Sequence, residues 1–211
     1  MTAIQRVSVV DSLAAALRAQ ILEGAIDAGA PLREVELAER YEVSRHTLRA
    51  ALRQLAGEGI VVLEPHRGAR VARLGRPELV GLWELRTALE VEAARLALER
   101  HDGRLPTDVH RAAGRLSAAC ARARPTWRLI SELHAGLHGA IVDASESDRL
   151  QAAYAGLAGE LQLYVLQLRP TWPLERMPSE HEALVAGLET EGAEALRRHL
   201  RDGFESVLEP R

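Results

Sequence analysis

Apolar residues recur at helical spacing through almost the whole chain, with one short interruption. Leu13, Leu17, Ile21 and Leu22 follow Asp11 or Ser12, either of which suits a helix N-cap, and Gly24 with Gly29-Ala30-Pro31 stops the pattern. A second, shorter helix is expected around Val35, Leu37, Ala38 and Tyr41. A third starts at Ser44, turns Leu48, Ala51, Leu52 and Leu55 inward, and ends at Gly57-Glu58-Gly59. The interruption comes next. Residues 60–63 are β-rich, Pro65-His66-Arg67-Gly68 reads as a turn, and 69–71 as the returning strand. Three helices followed by a small hairpin is the order of a winged helix-turn-helix.

From Pro77 the pattern is helical throughout. Leu79, Leu82, Leu85, Leu89 and Leu96 carry one helix to about Arg100, where His101-Asp102-Gly103 breaks it. Further helices are expected near 106–123, 126–144, 147–168, 177–190 and 192–208. Arg124-Pro125, Ser145-Glu146-Ser147, Arg169-Pro170-Thr171-Trp172-Pro173 and Gly192 separate them. The expected fold is therefore mainly α: a winged helix-turn-helix over 1–75, then an antiparallel all-α helical bundle over 76–211.

Composition adjusts this picture in three ways. Only 3% of the 211 residues are aromatic against 47% hydrophobic overall, so the core must be Leu, Ala and Val. The formal net charge of -3 does not itself suggest nucleic acid, and a split near Gly75 leaves ten arginines against nine acids before it. Any DNA-binding role thus rests on where the arginines sit, which are the only basic side chains besides histidine. Cys120 is the single cysteine, which excludes a disulfide within the chain and a multi-cysteine zinc site. No apolar run approaches the ~18 residues of a membrane span and no signal-peptide core opens the chain, so a cytoplasmic protein with no membrane partner is expected.

The third helix carries the first candidate chemistry. Its outward residues are Arg45, His46, Thr47, Arg49 and Arg53, and the hairpin tip holds His66, Arg67 and Gly68. Guanidinium forks on an exposed helix N-terminus match guanine edges or phosphate oxygens in a major groove. Alone, such a face would be an ordinary solvated one; followed by a basic hairpin, it favours double-stranded operator DNA. The order of ILEG, EVELAERYEVSR, LRAALRQLAGEGI and the wing's HRGARV resembles the DNA-binding domain of GntR-type regulators. That resemblance implies base or phosphate contacts for Arg45, Thr47 and Arg49, with His66 and Gly68 placing the wing in the minor groove; His46 and Arg67 join them as candidates from their places on the helix and the hairpin tip. Where that family usually reads Ser-Arg-Thr-Pro-Val-Arg-Glu, this chain has Ser44-Arg45-His46-Thr47-Leu48-Arg49-Ala50.

Four histidines carry the second. His134 and His138 lie four apart, hence on one helix face, while His181 and His199 come from two later helices. Converging in a bundle, neutral imidazoles could bind a divalent transition metal; separately, each is an ordinary surface or core histidine. LWELRTALEVEAARLA, LHGAIVDASESDRL, SEHEALVAGLETEGAEA and RRHL resemble the FCD-type ligand-binding domain of the FadR subfamily. Many members hold a metal with one Asp and three His. Carried over, the histidines are His138, His181 and His199, and His134 stands at the Asp position. An all-nitrogen set favours zinc or nickel over manganese or magnesium. The segment from Gly192 to His199 is also about one helical turn shorter than expected, which would move His199 ~5 Å along its axis.

A helix-turn-helix monomer covers only half a site, so a homodimer is expected. The resemblance favours a small organic-acid effector, which Arg86 could grip bidentately if it faces the metal cavity; the alternative is an exposed or ion-paired arginine. Two other functions stay open: a metal-dependent enzyme on a helical bundle, and a ligand-independent DNA-binding protein. The first lacks a zincin second histidine after His181-Glu182, because position 185 is Val185, and has no phosphate loop or nucleophile elbow. No catalytic residue is assigned.

Overall fold

The structure is a computed structural model describing residues 8–64, 67–168 and 173–208. The chain divides into two compact units, Met1–Arg73 and Leu74–Arg211. His66 and the expected break at 169–172 lie outside the described residues.

The first unit contains α1 (Val9–Leu22), β1 (Pro31–Leu32), α2 (Glu34–Arg40), α3 (Arg45–Gly57), β2 (Val61–Glu64) and β3 (Gly68–Val71). α1 begins earlier than expected from Asp11 or Ser12. Ser8 is the N-cap, and its hydroxyl and the Asp11 carboxylate form a reciprocal capping box. Asp11 is thus the N3 partner of the cap. Ser44 caps α3 as expected. The core comes from the inward faces of the helices, including Leu17 and Leu22 on α1 and Leu48, Leu52 and Leu55 on α3, all essentially inaccessible. Arg18 and Glu58, forty residues apart, lock α1 to the end of α3 through two parallel hydrogen bonds of 2.8 and 2.6 Å.

The hairpin has a third member. Pro31–Leu32 pairs antiparallel with β3, giving the order β1-β3-β2. In the sequence Pro31 marks only a helix stop. Pro31 sits on an edge strand, where its missing N–H is harmless, and Leu32 is buried.

The second unit is helical: α4 (Arg76–Arg100), α5 (Thr107–Cys120), α6 (Trp127–Asp143), α7 (Asp148–Ala155), α8 (Ala158–Leu168), α9 (Arg176–Glu191) and α10 (Glu194–Leu208). The helix expected over 147–168 is two, divided at Gly156 and the buried Leu157. α6 is the hub, packing on α4, α5, α7 and α8, while α9 lies against α5 and α10.

The α9–α10 hairpin depends on two glycines. Gly187 lets the helices approach closely, since a Cβ there would meet the Ala195 Cβ at 3.0 Å. Gly192 closes the turn at φ 79 and ψ -164, a conformation essentially reserved for glycine. Gly192→Ala is therefore expected to destabilise the protein by about 1–3 kcal/mol. Denaturant titration of the second unit would show it; an unchanged midpoint would mean that the turn tolerates another backbone path.

Candidate functional site

α3 presents its polar side as the sequence predicts. Arg45, His46, Arg49 and Arg53 are exposed, and Thr47 is half-buried because it belongs to the cap. The Thr47 N–H donates to the Ser44 hydroxyl at 3.1 Å, and the two hydroxyls are 2.8 Å apart. Arg49 is held by Glu34 at the start of α2, Nε to Oε2 at 2.7 Å. Arg45, His46 and Arg53 make no ion pair among the described residues. On the sheet, Arg67 and Gly68 are exposed beside Val62 and Leu63, and Arg70 pairs with Glu64. A groove lined by Arg49, Arg53, Leu63 and Gly68 runs between α3 and the hairpin. On α3 the groove starts one turn after the N-terminus, and Glu34 and Glu64 line it beside the two guanidinium groups.

In the second unit the four histidines converge. His134 and His138 sit one turn apart on the inner face of α6, with Ile130, Leu137 and Ile141. His181 comes from the first half of α9 and His199 from the middle of α10. Ring centroids are 4.7 Å apart for His134–His138, 4.8 Å for His134–His181, 4.7 Å for His181–His199 and 5.4 Å for His138–His199. One nitrogen from each of the four lies within 4.8 Å of the others. The shorter segment after Gly192 therefore leaves His199 within the cluster.

Two of the rings are fixed by a partner on Nδ1. His138 shares a 2.7 Å hydrogen bond with Glu90, and His181 Nδ1 lies 2.7 Å from the Met177 carbonyl, to which it donates. Their Nε2 atoms are buried without a partner among the described residues, as is His134 Nδ1. Unpaired buried polar atoms cost about 1–3 kcal/mol each, so three in one cluster ask for an explanation.

A metal ion fits these residues. Ligand atoms around tetrahedral zinc are roughly 3.3 Å apart, given Zn–N bonds of about 2.0–2.1 Å. The nitrogens, up to 4.8 Å apart, would have to draw together by up to about 1.5 Å to reach that spacing. The cavity that His134, His181 and His199 line together with Arg86 and Tyr164 has a volume of about 20 Å³, enough for one ion or water and little else. Four neutral nitrogens suit zinc, nickel or copper rather than magnesium or calcium.

Arg86 reaches this cavity, but it is not free. It is 5% exposed and its guanidinium donates to Glu90, Nε to Oε1 at 2.6 Å, while also lying 5.6 Å over the Tyr164 ring. Glu90 escaped the sequence reading. It is fully buried and touches both Arg86 and His138. The signal was the i, i+4 spacing of Arg86 and Glu90, masked by leucines on the other side of α4. Leu85, expected inside, is 44% exposed.

Electrostatics keeps the histidines neutral. Burial is the largest effect on all four. For His134 and His199 it acts with neighbouring imidazoles and Arg86 to hold the pKa well below 6.5; His181 is pushed down to about 3. His138 is lowered by burial against the opposing pull of Glu90. Burial alone would raise the Glu90 pKa, yet Arg86 and His138 bring it down to about 2, so Glu90 is ionised.

A pH dependence of stability follows. Unfolded histidines protonate near 6.5, whereas these folded ones resist it, so the unfolded chain binds more protons as pH falls. Metal-free protein should hold its stability above about pH 6.5 and lose it progressively below, by about 1.4 kcal/mol per pH unit for each such histidine. For His181 the loss runs on to about pH 3. Denaturant midpoints of chelator-treated protein from pH 7.5 to 5 would test this; a level profile would contradict neutral, buried imidazoles.

Comparison with known proteins agrees with both halves. Residues 10–71 match the bacterial regulatory proteins of the gntR family, and residues 81–206 match the FCD domain. The chain is 29% identical over 206 residues to the HTH-type transcriptional regulator BphR of Paraburkholderia xenovorans LB400, covering 95% of this chain and 84% of that one. It is 26% identical over 196 residues to the HTH-type transcriptional repressor GlaR of Escherichia coli K12, covering 87% and 89%. The crystal structure of a GntR transcriptional regulator from Rhodococcus sp. RHA1 superposes with a TM-score of 0.74 at 25% identity, covering 94% of this chain and 97% of that one. A winged helix whose third helix bares its arginines, followed by a bundle of the FCD type, makes this chain a transcriptional regulator of the gntR family.

Proposed function

We propose that the protein is a ligand-responsive regulator of the FadR subfamily that binds operator DNA as a homodimer. Its FCD domain would hold a divalent transition metal, zinc or nickel, and answer to a small organic acid. The observation that carries this reading is the convergence of four imidazoles, three of them with an unpaired buried nitrogen, beside a cavity sized for one ion. A bundle with no sensing role has no use for such a cluster, and it is expensive to bury.

His134, His138, His181 and His199 are the proposed ligands. The metal would supply a Lewis-acidic, positively charged centre; the residues present it to the cavity and exclude water from it. A small carboxylate is the effector class favoured by that charge and by Arg86. The cavity has no room for an acid beside an ion, and Arg86 is occupied by Glu90. Binding therefore requires α10 or the cavity's side chains to move, and an acid that prefers the moved arrangement shifts the population toward it.

In the first unit Arg45, His46, Thr47 and Arg49 are the proposed groove-reading residues, with His66, Arg67 and Gly68 in the wing. A helix-turn-helix monomer covers half a site, so a two-fold dimer on a pseudo-palindrome is the expected assembly.

Two experiments test the two halves. Replacing Arg45 by Ala should weaken operator binding by about 1–3 kcal/mol if it reads a base; anisotropy titrations at fixed salt that match wild type would remove it from the interface. Elemental analysis of protein purified without a His-tag should find about one zinc or nickel per chain and a marked loss in His138→Ala. Equal metal in the two proteins would sink the metal assignment.

A further inference from the structure

The Arg86–Glu90 pair, in contact with His138, is the most heavily buried ion pair in the described structure, and the site's ligands alone do not explain it. The Arg86 and Glu90 side chains are 6% and 1% exposed, and that of His138 is wholly inaccessible. Removing two charges from water is costly, and hydrophobic residues of similar volume commonly serve stability as well or better. The pair is placed where it touches one specific atom, His138 Nδ1.

That contact has a definite chemical consequence. Arg86, 2.6 Å away, keeps Glu90 as a carboxylate, and a carboxylate only accepts hydrogen bonds. The shared 2.7 Å bond therefore requires the proton to sit on His138 Nδ1. Nε2 is left with its lone pair, buried and without a partner among the described residues, on the side facing the other rings. His181 gets the same orientation from a backbone carbonyl, which no substitution of Met177 removes. Among the described residues, Glu90 is the only carboxylate hydrogen-bonded to the cluster.

We propose that Glu90 is a positioning residue of the four-histidine site: it holds His138 in the Nδ1–H form and brings to the site's second layer the negative charge that an all-nitrogen ligand set lacks. Arg86 acts through Glu90, balancing that charge so that it can be buried. Outer partners of this kind orient a ligating imidazole and raise its basicity, and losing one typically lowers metal affinity about 10–100-fold. The inference rests on reading the cluster as a metal site, and the tests separate the two.

The first measurement needs no variant. In metal-free wild-type protein, ¹⁵N-histidine NMR should show His138 protonated at Nδ1 and bare at Nε2. The opposite tautomer would overturn the proposal. The second uses two double variants that both remove the buried charges, Arg86→Met with Glu90→Gln and Arg86→Met with Glu90→Leu. The Gln variant keeps an acceptor for Nδ1–H; the Leu variant has none. Zinc affinity by chelator competition should fall about 10–100-fold in the Leu variant and less in the Gln variant. The visible absorption of the cobalt-loaded protein should shift in the same order. A purely structural role would lower the melting temperature of both without separating their affinities. Zinc bound by wild type and equally tightly by the Leu variant sinks the role of Glu90 alone. No zinc bound by wild type sinks the reading of the cluster and this proposal with it. Should the Leu variant not fold, the wild-type NMR decides.

Discussion

Packing four imidazoles against one another, three of them buried and His199 partly so, is the constraint around which the second unit is arranged. Each ring carries one nitrogen that donates and one that accepts, and a bundle core offers few partners for either. Here two Nδ1 atoms find acceptors, a carboxylate and a carbonyl, and the facing nitrogens find none. The surrounding apolar layer bears the expense. Ile130, Leu137 and Ile141 on α6 are fully buried on the same face as His134 and His138. Local polar frustration inside a well-packed core is the usual mark of a site kept for function.

The helices satisfy this constraint with little beyond their own periodicity. One turn of α6 aligns His134 with His138, and one turn of α4 aligns Arg86 with Glu90. Two facing helices thus supply four of the six polar side chains. The other two come from α9 and α10, whose close approach at Gly187 and tight reversal at Gly192 put His181 and His199 on the same wall. Six side chains with chemistry are fixed by the packing of four helices, and no long loop takes part.

How much of this the sequence disclosed depends on whether a feature leaves a local mark. The third helix was legible from its cap: Ser44 does what its position suggested, and Leu48, Leu52 and Leu55 fall inward. The histidines were legible because they are rare and because one resemblance placed them. Three features left no such mark. Two residues suffice for β1, and its pairing partner lies nearly forty residues away, so no alternation signals it. The break between α7 and α8 falls in a stretch whose composition is helical on both sides. On α4 apolar residues surround the helix, so periodicity could not tell the inner face, and the leucine at 85 concealed the buried pair at 86 and 90. Burying Arg86 and Glu90 is decided by a partner on another helix, His138, which a single-segment reading cannot see.

The pairing of Arg49 with Glu34 bears on how the first unit would meet a polyanion. A guanidinium facing solvent gathers no fixed counter-charge, and on meeting DNA it displaces a condensed cation from the duplex. Arg49 instead brings its own carboxylate, 2.7 Å away and only partly exposed. When it turns to a phosphate it exchanges one anion for another and leaves Glu34 near the negatively charged backbone. The linear dependence of log affinity on log salt concentration counts neutralised phosphates. On this surface the unpaired Arg45 and Arg53 would steepen that line and Arg49 would scarcely move it. If α3 enters a groove, Glu34 would thereby shift the balance there from charge attraction, which any sequence offers, toward the geometry of the bases.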